Sequence, residues 1–298
     1  MFETRTVTDG GLETDLIFHH GVDLPAFAAF PLLDDERGRA LLADYYRGYA
    51  EIARAAGTAF ALESATWRAN PGWGAAVGYD AAGLDRVNRG AIEFLRQLRD
   101  RFAVADTTVV GAMGPRGDGY RPGAPVEPEN AAAYHRPQLD SFAAAGADVA
   151  AAYTLTNPGE AIGIVLAARE AGVAIGISFT VETDGRLPDG TALEDAITAV
   201  DEAAPPDYFG VNCAHPTHIR PALQDGPWRE RIKVVRANAS TQSHAELDDS
   251  DELDDGDPGE LAAAVRAIVP SLPNVTVVGG CCGTDTRHVA AFWNVLAP

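Results

Sequence analysis

An α/β fold, closed as a (β/α)8 TIM barrel, is what this sequence predicts, and three observations predict it. Apolar runs recur along the chain and are continuous rather than alternating, as strands buried on both faces of a parallel sheet require. Helical stretches separate these runs, and several end in Ala-Gly or Pro just before the next run, where Gly supplies the left-handed cap. The chain has 298 residues, a comfortable length for one barrel of about 250. An open doubly wound sheet is the runner-up. Against it, no Gly-x-Gly-x-x-Gly follows the first strand.

The elements follow in order. Strands are predicted near 5–9, 58–63, 107–112, 147–153, 173–180, 207–213, 231–236 and 274–280. Ala56-Gly57 precedes the second, Ala145-Gly146 the fourth, Ala171-Gly172 the fifth and Pro205-Pro206 the sixth. Amphipathic helices are predicted over Asp34–Ala56, Asp80–Phe102, Pro128–Ala145 and Asn157–Ala171. A helix in the 190s opens with Thr191 and Glu194 in capping-box spacing. Gly114–Pro128, rich in Gly and Pro, reads as a loop over the barrel mouth. His244–Asp257 holds eight acids in fourteen residues without the Gly-centred spacing of a calcium loop, so it reads as a solvated surface loop. No linker divides the chain, and a single domain over residues 1–298 is expected.

Composition narrows the function. Apolar residues make up 46% and charged residues 22%, ordinary values for a globular chain. Lys and Arg total 23 against 43 Asp and Glu, a net charge of −20, and Lys233 is the only lysine. A nucleic-acid partner demands a basic face, and so does an anionic membrane surface; neither is expected here. The first ten residues hold no apolar signal core, and no run of about 18 apolar residues occurs. The expected location is cytoplasmic. An oligomer is compatible with the sequence. Three cysteines, two of them adjacent, make a poor disulfide framework.

In a barrel the active site lies at the C-terminal strand ends. Strand one ends at Asp9-Gly10-Gly11, strand two near Glu63, strand four at Tyr153-Thr154, strand six at Asn212-Cys213 and strand eight at Gly280-Cys281-Cys282-Gly283. All three cysteines therefore fall on one face. Three converging thiolates suit tetrahedral zinc with an open fourth position, the mark of a catalytic site. Side chains alternate along a regular strand, so Cys281 and Cys282 need the turn that Gly279, Gly280 and Gly283 permit. Two other readings stand beside zinc: small buried apolar side chains, or a redox pair of vicinal cysteines. His215 and His218 stand in H-x-x-H spacing but read as loop residues. Trp67, Trp73, Phe27 and Phe30 are candidates to face a cationic group, with core packing as the plainer reading. Asn238, after strand seven, is a candidate substrate contact.

At these residues the sequence resembles the homocysteine S-methyltransferase family. That family includes betaine- and S-methylmethionine-dependent enzymes and the homocysteine domain of cobalamin methionine synthase. The shared stretches are Asp9-Gly10-Gly11, His135-Arg136-Pro137, Ser178-Phe179-Thr180, Asp189-Gly190-Thr191, Gly210-Val211-Asn212-Cys213 and Gly279-Gly280-Cys281-Cys282-Gly283. The resemblance implies a (β/α)8 barrel with Zn2+ on Cys213, Cys281 and Cys282. It also implies methyl transfer from a sulfonium or ammonium donor to a thiol, with homocysteine as the usual acceptor and methionine as product. Asp9 would accept from the acceptor's ammonium, with Gly10 and Gly11 allowing close approach, and Asn212 would orient the site. Members usually carry Glu at the end of strand four, where this chain has Tyr153. Glu63 is a candidate to supply that carboxylate from strand two, and Tyr153 a candidate oxygen ligand to zinc. The departure leaves two alternatives in view: the same chemistry on another thiol or selenol, or a zinc-bearing barrel that binds amino-acid or onium ligands without turnover.

Overall fold

All eight predicted strands form, and they close on one another. A computed structural model describes residues 2–121 and 123–296. Its strands are β1 (Thr6–Val7), β2 (Ala59–Glu63), β3 (Thr107–Met113), β4 (Val149–Leu155), β5 (Ile175–Phe179), β6 (Tyr208–Ala214), β7 (Ile232–Ala237) and β8 (Val277–Gly280). Every neighbouring pair is parallel, and β8 pairs back onto β1, so the sheet is a closed barrel. The first strand is shorter than expected: it ends at Val7, although the Asp9 carbonyl still accepts from Gly280 N at 2.9 Å.

The helices begin and end where the punctuation predicts. Asp35, Asp80 and Asn157 each cap a helix by accepting a backbone N–H through the side chain. Gly57, Gly146 and Gly172 end three helices in the left-handed region, at φ 62°, 78° and 74°. The box expected at Thr191 and Glu194 does not form. That helix runs Leu193–Ala203, its N-cap is Ala192 with no side-chain cap, and the Thr191 carbonyl accepts from Leu187 in a preceding turn. A capping box does occur at Ser243 and Glu246, opening a short helix, His244–Asp248, inside the segment expected to be a plain loop.

Two apolar layers result. The larger lies between the sheet and the helices. A smaller cluster fills the lumen, with Ala61, Val110, Ala112, Val149, Ala151, Tyr208, Val234 and Val277 below Tyr153. Tyr208 fits because Gly176 opposite it has no Cβ; one built there would collide with the tyrosine ring. Small alanines high in the lumen leave room above them, and polar side chains occupy it. Among the described residues, no helix is long and apolar enough to cross a membrane.

Candidate metal centre and active site

A cavity of about 410 Å³ opens at the C-terminal ends of the strands. Asp9, Gly10, Gly11, Glu63, Tyr153, Asn212, Cys213, Cys281 and Cys282 all line it.

The cysteines converge through local backbone geometry. The β6–β7 register shifts between Asn212 and Ala214, and Cys213 within that bulge has φ 55°. Bulges re-aim side chains at barrel rims. The Cys213 carbonyl accepts from Thr180 Oγ1 at 3.2 Å, lies 2.9 Å from His244 Nε2, and accepts from Asn238 Nδ2 at 3.1 Å. Asn238, the candidate substrate contact, lines the cavity and also holds the Cys213 backbone. Gly280 ends β8, and a Cβ there would collide with Thr284 Oγ1, so only glycine lets the chain fold back through Cys281 and Cys282. The three sulfurs lie within 4.8 Å of one another. Those of Cys213 and Cys281 are paired as a disulfide, with Cα atoms 5.3 Å apart, and Cys282 Sγ is 3.9 Å from Cys213 Sγ. Burial pushes the Cys282 thiol up to about 11, and Tyr120 donates to its sulfur at 3.5 Å. Cys213 is buried and Cys281 and Cys282 half-buried, and three sulfurs so gathered suit a thiophilic metal ion, whose charge would favour the thiolates.

Asn212 is tied to β4. Its Oδ1 accepts from Thr154 N and its Nδ2 donates to Thr154 Oγ1, both at 2.9 Å. Thr154 itself has φ 60° at a register shift in β4, so one amide locks two bulges together. Asn212 Nδ2 also lies 3.9 Å from Cys281 Sγ.

Beside the sulfurs stands a buried ionic triad that sequence reading missed. Arg236 of β7 donates through Nη1 to Glu63 Oε2 and through Nη2 to Asp9 Oδ1 at 2.5 Å. Its remaining contacts are the carbonyls of Gly280 (2.9 Å) and Gly10 (3.0 Å). Glu63 Oε1 accepts from Thr8 Oγ1 at 2.7 Å and from Tyr153 OH at 2.8 Å. Tyr153 therefore turns its hydroxyl to Glu63, not to the sulfurs. Burial raises the Asp9 carboxyl to about 7, with Arg236 opposing and Glu63 adding to the rise. Burial opposes the Arg236 charge too, yet Glu63 and Asp9 hold its pKa above the ordinary arginine value. The signal available in the sequence was an Arg inside the apolar run Val234-Val235-Arg236-Ala237.

The remaining expectations divide. Phe27 and Trp67 line the cavity and meet edge to face, with ring centroids 6.4 Å apart. Phe30 is fully buried against Tyr79 in the core. Trp73 stacks on Arg68 instead of lining the cavity. His218 lies in a helix, Pro216–Ala222, which His215 caps, and neither joins the sulfurs. Burial lowers both imidazoles, His215 to about 4, so they are neutral. Asp118, Gly119 and Tyr120 show that the Gly/Pro-rich loop does cover the mouth. The acidic segment is not merely solvated surface: Asp248, Glu252 and Asp254 line the same cavity, and Asp254 accepts from Ser240 at 2.6 Å.

Comparison with known proteins gives the same picture. The family model described as "Homocysteine S-methyltransferase" matches residues 6–296. A "Homocysteine S-methyltransferase" from Escherichia coli is 28% identical over 264 residues, covering 84% of this chain and 81% of the relative. "Homocysteine S-methyltransferase YbgG" from Bacillus subtilis is 25% identical over 232 residues, 72% of each chain. Among solved structures, the homocysteine methyltransferase MmuM from Escherichia coli superposes in a metallated form with TM-score 0.73, at 23% identity over 98% of this chain and 96% of that one. Its oxidised form gives TM-score 0.75, also at 23% identity, over 97% and 94%. At that identity the likeness speaks for the fold.

Proposed function

The chain belongs to the homocysteine S-methyltransferase family, and from that premise we propose that it moves a methyl group from a sulfonium or ammonium donor to the thiol of homocysteine, giving methionine. The observation that carries the reading is the convergence of Cys213, Cys281 and Cys282, from two strand ends, within 4.8 Å. These three residues would hold zinc. Bound there, zinc would supply a positive charge that keeps an acceptor thiol deprotonated near neutral pH, where a free thiol of pKa ~8.5 is mostly protonated.

The rest is done by the chain's own groups. Asp9 takes the acceptor's ammonium, while Gly10 and Gly11 let its amino-acid end approach the backbone. Arg236 holds Asp9 and Glu63 in place and balances one of their two charges. Tyr153 fills the strand-four position and orients Glu63. Asn212 fixes the bulge that aims Cys213. In the transfer, the acceptor sulfur forms a bond to the methyl carbon as the donor's carbon–sulfur or carbon–nitrogen bond breaks. The electron pair leaves on the donor atom, and the acceptor's proton goes to solvent. An anion and a cation become two neutral products, a change that a dry site favours. Phe27, Trp67 and Tyr120 wall the cavity against water and offer ring faces to the onium group. Metal binding would need the Cys213–Cys281 pair reduced, a state the cytoplasm favours.

The test is methionine formation by metal-quantified protein, offered homocysteine with S-methylmethionine, S-adenosylmethionine and betaine in turn. Methionine from one donor, lost in Cys213→Ala, is the expected result. Stoichiometric metal without methionine from any donor would overturn the reading.

A further inference from the structure

The His135-Arg136-Pro137 stretch has no task in that scheme, and it roots the loop that covers the mouth. His135 is fully buried in the helix Pro128–Ala145, its Nε2 2.8 Å from Glu160 Oε1. The same oxygen accepts from Arg116 N at 2.6 Å, and Pro115 O accepts from buried Asn70 Nδ2 at 3.2 Å. The chain beyond β3 thus leaves from a buried polar anchor. Further along, Asp118 Oδ1 accepts from Tyr120 N at 2.7 Å, and Arg121 meets Asp248 at 3.3 Å. This double hold sets Tyr120 against the sulfurs. Its hydroxyl donates to Cys282 Sγ at 3.5 Å. Its ring stacks on His244, with centroids 4.1 Å apart and planes 7° from parallel. His244 Nε2 lies 2.9 Å from the Cys213 carbonyl, so one tyrosine bears on both ligand-bearing strand ends.

Methyl transfer to a thiol sets a problem that this contact answers. The three cysteine sulfurs are thiolates once they hold a metal, and thiolates are nucleophiles. Cys213 is buried, but Cys281 and Cys282 are half-buried and line the cavity that takes the methyl donor. A ligand sulfur there competes with the acceptor. Its methylation would form an Sγ–carbon bond as the donor's bond to that carbon breaks, the electron pair leaving with the donor. The thioether left behind carries no charge with which to hold the ion. A hydrogen bond to a thiolate draws charge from the sulfur, and nucleophilicity falls with basicity. Cys282 receives one from the Tyr120 hydroxyl, whereas Cys281 has only Asn212 Nδ2 at 3.9 Å. We propose that Tyr120 is a positioning residue that holds and quenches Cys282 Sγ, so that the methyl group goes to the acceptor sulfur and not to the protein's own ligand. This rests on the methyl-transfer reading above.

Iodomethane tests this on reduced, zinc-loaded protein without acceptor, because it needs no binding site and reads Cys282 whatever donor the protein uses. Peptide mass mapping gives the ratio of methyl on Cys282 to methyl on Cys281, which cancels the dose. Tyr120→Phe keeps the ring against His244 and removes only the hydroxyl. It should raise the ratio ~3- to 10-fold, since one charge-assisted hydrogen bond is lost and nucleophilicity follows basicity with a slope of ~0.5. Tyr120→Leu, which also loses the stacking, should raise it equally. In cobalt-loaded protein the sulfur-to-metal charge-transfer band should move to lower energy in both variants. Circular dichroism and metal stoichiometry check that each variant folds and loads. A ratio within about twofold of the parent in Tyr120→Phe, a rise in Tyr120→Leu alone, or an unmoved band would overturn the assignment. A raised ratio in a protein that makes no methionine from any donor would sink the methyl-transfer reading instead, and leave the hold of Tyr120 on Cys282 standing.

Discussion

Arg236→Met removes the cation shared by Asp9 and Glu63 while keeping most of its aliphatic length. Asp9 and Glu63 are each only 4% exposed, so both carboxylates would be left buried and facing one another. The lost contacts are two charge-assisted hydrogen bonds and two to the carbonyls of Gly10 and Gly280. Breaking a buried pair from one side typically costs ~3–5 kcal/mol. At ~2 °C per kcal/mol for a chain of this size, the melting temperature should fall by roughly 6–10 °C. The loss should also depend on pH. Without the guanidinium, which opposes the rise, burial and the Glu63 charge lift the Asp9 carboxyl further above the ~4 of the unfolded chain. The folded variant then holds protons that the unfolded chain releases, so its stability declines as pH rises through that window. The deficit should be larger at pH 8 than at pH 5.5. Scanning calorimetry at fixed rate, on Arg236→Met, Glu63→Gln and the double variant, measures this. The double variant should lose less than the sum of the singles, since only Asp9 is then unpaired. Additive losses, or an Arg236→Met deficit that grows as pH falls, would show that the triad is not held together by its charges.

Three further outcomes follow from the site. Cys213→Ala and Cys282→Ser should each lower bound zinc from about one per chain to below ~0.1 after dialysis, measured by atomic emission, with the circular dichroism of the barrel unchanged; full retention would remove those sulfurs from the metal set. In metal-free protein exposed to oxidant, a non-reducing peptide map should join Cys213 to Cys281, leaving Cys282 alkylatable, because the first two sulfurs are already paired across β6 and β8; a Cys281–Cys282 linkage would contradict that pairing. Tyr153→Phe deletes one hydrogen bond to buried Glu63 and should cost ~1 kcal/mol of stability by denaturant titration, with zinc content unchanged; lost zinc would instead make Tyr153 part of the metal centre.

Much of this molecule was legible because its signals are local. Ala-Gly pairs mark helix ends through one residue's backbone freedom, and Gly57, Gly146 and Gly172 all adopt the left-handed conformation. The sulfurs were legible for a topological reason: a parallel barrel gathers all strand ends on one face, so residues 68 apart become neighbours. What stayed hidden depends on side chains meeting across the lumen. Arg236 and Glu63 are 173 positions apart, and nothing near either one announces the other. Thr191 and Glu194 show the converse failure. Their spacing was right for a box, but the preceding turn claimed Thr191 and placed Ala192 at the cap.

The bulge at Cys213 would put control of one proposed metal ligand in residues that are not ligands themselves. Its left-handed peptide is held by Thr180, Asn238 and His244, from three separate segments, each through the same carbonyl oxygen. His244 opens the acidic stretch and its short helix. Descendants of this chain could therefore change how tightly they retain an ion while all three cysteines stay intact. A family inventory that scores the cysteines alone would count such descendants as identical; the amide, hydroxyl and imidazole behind them are where divergence would be written.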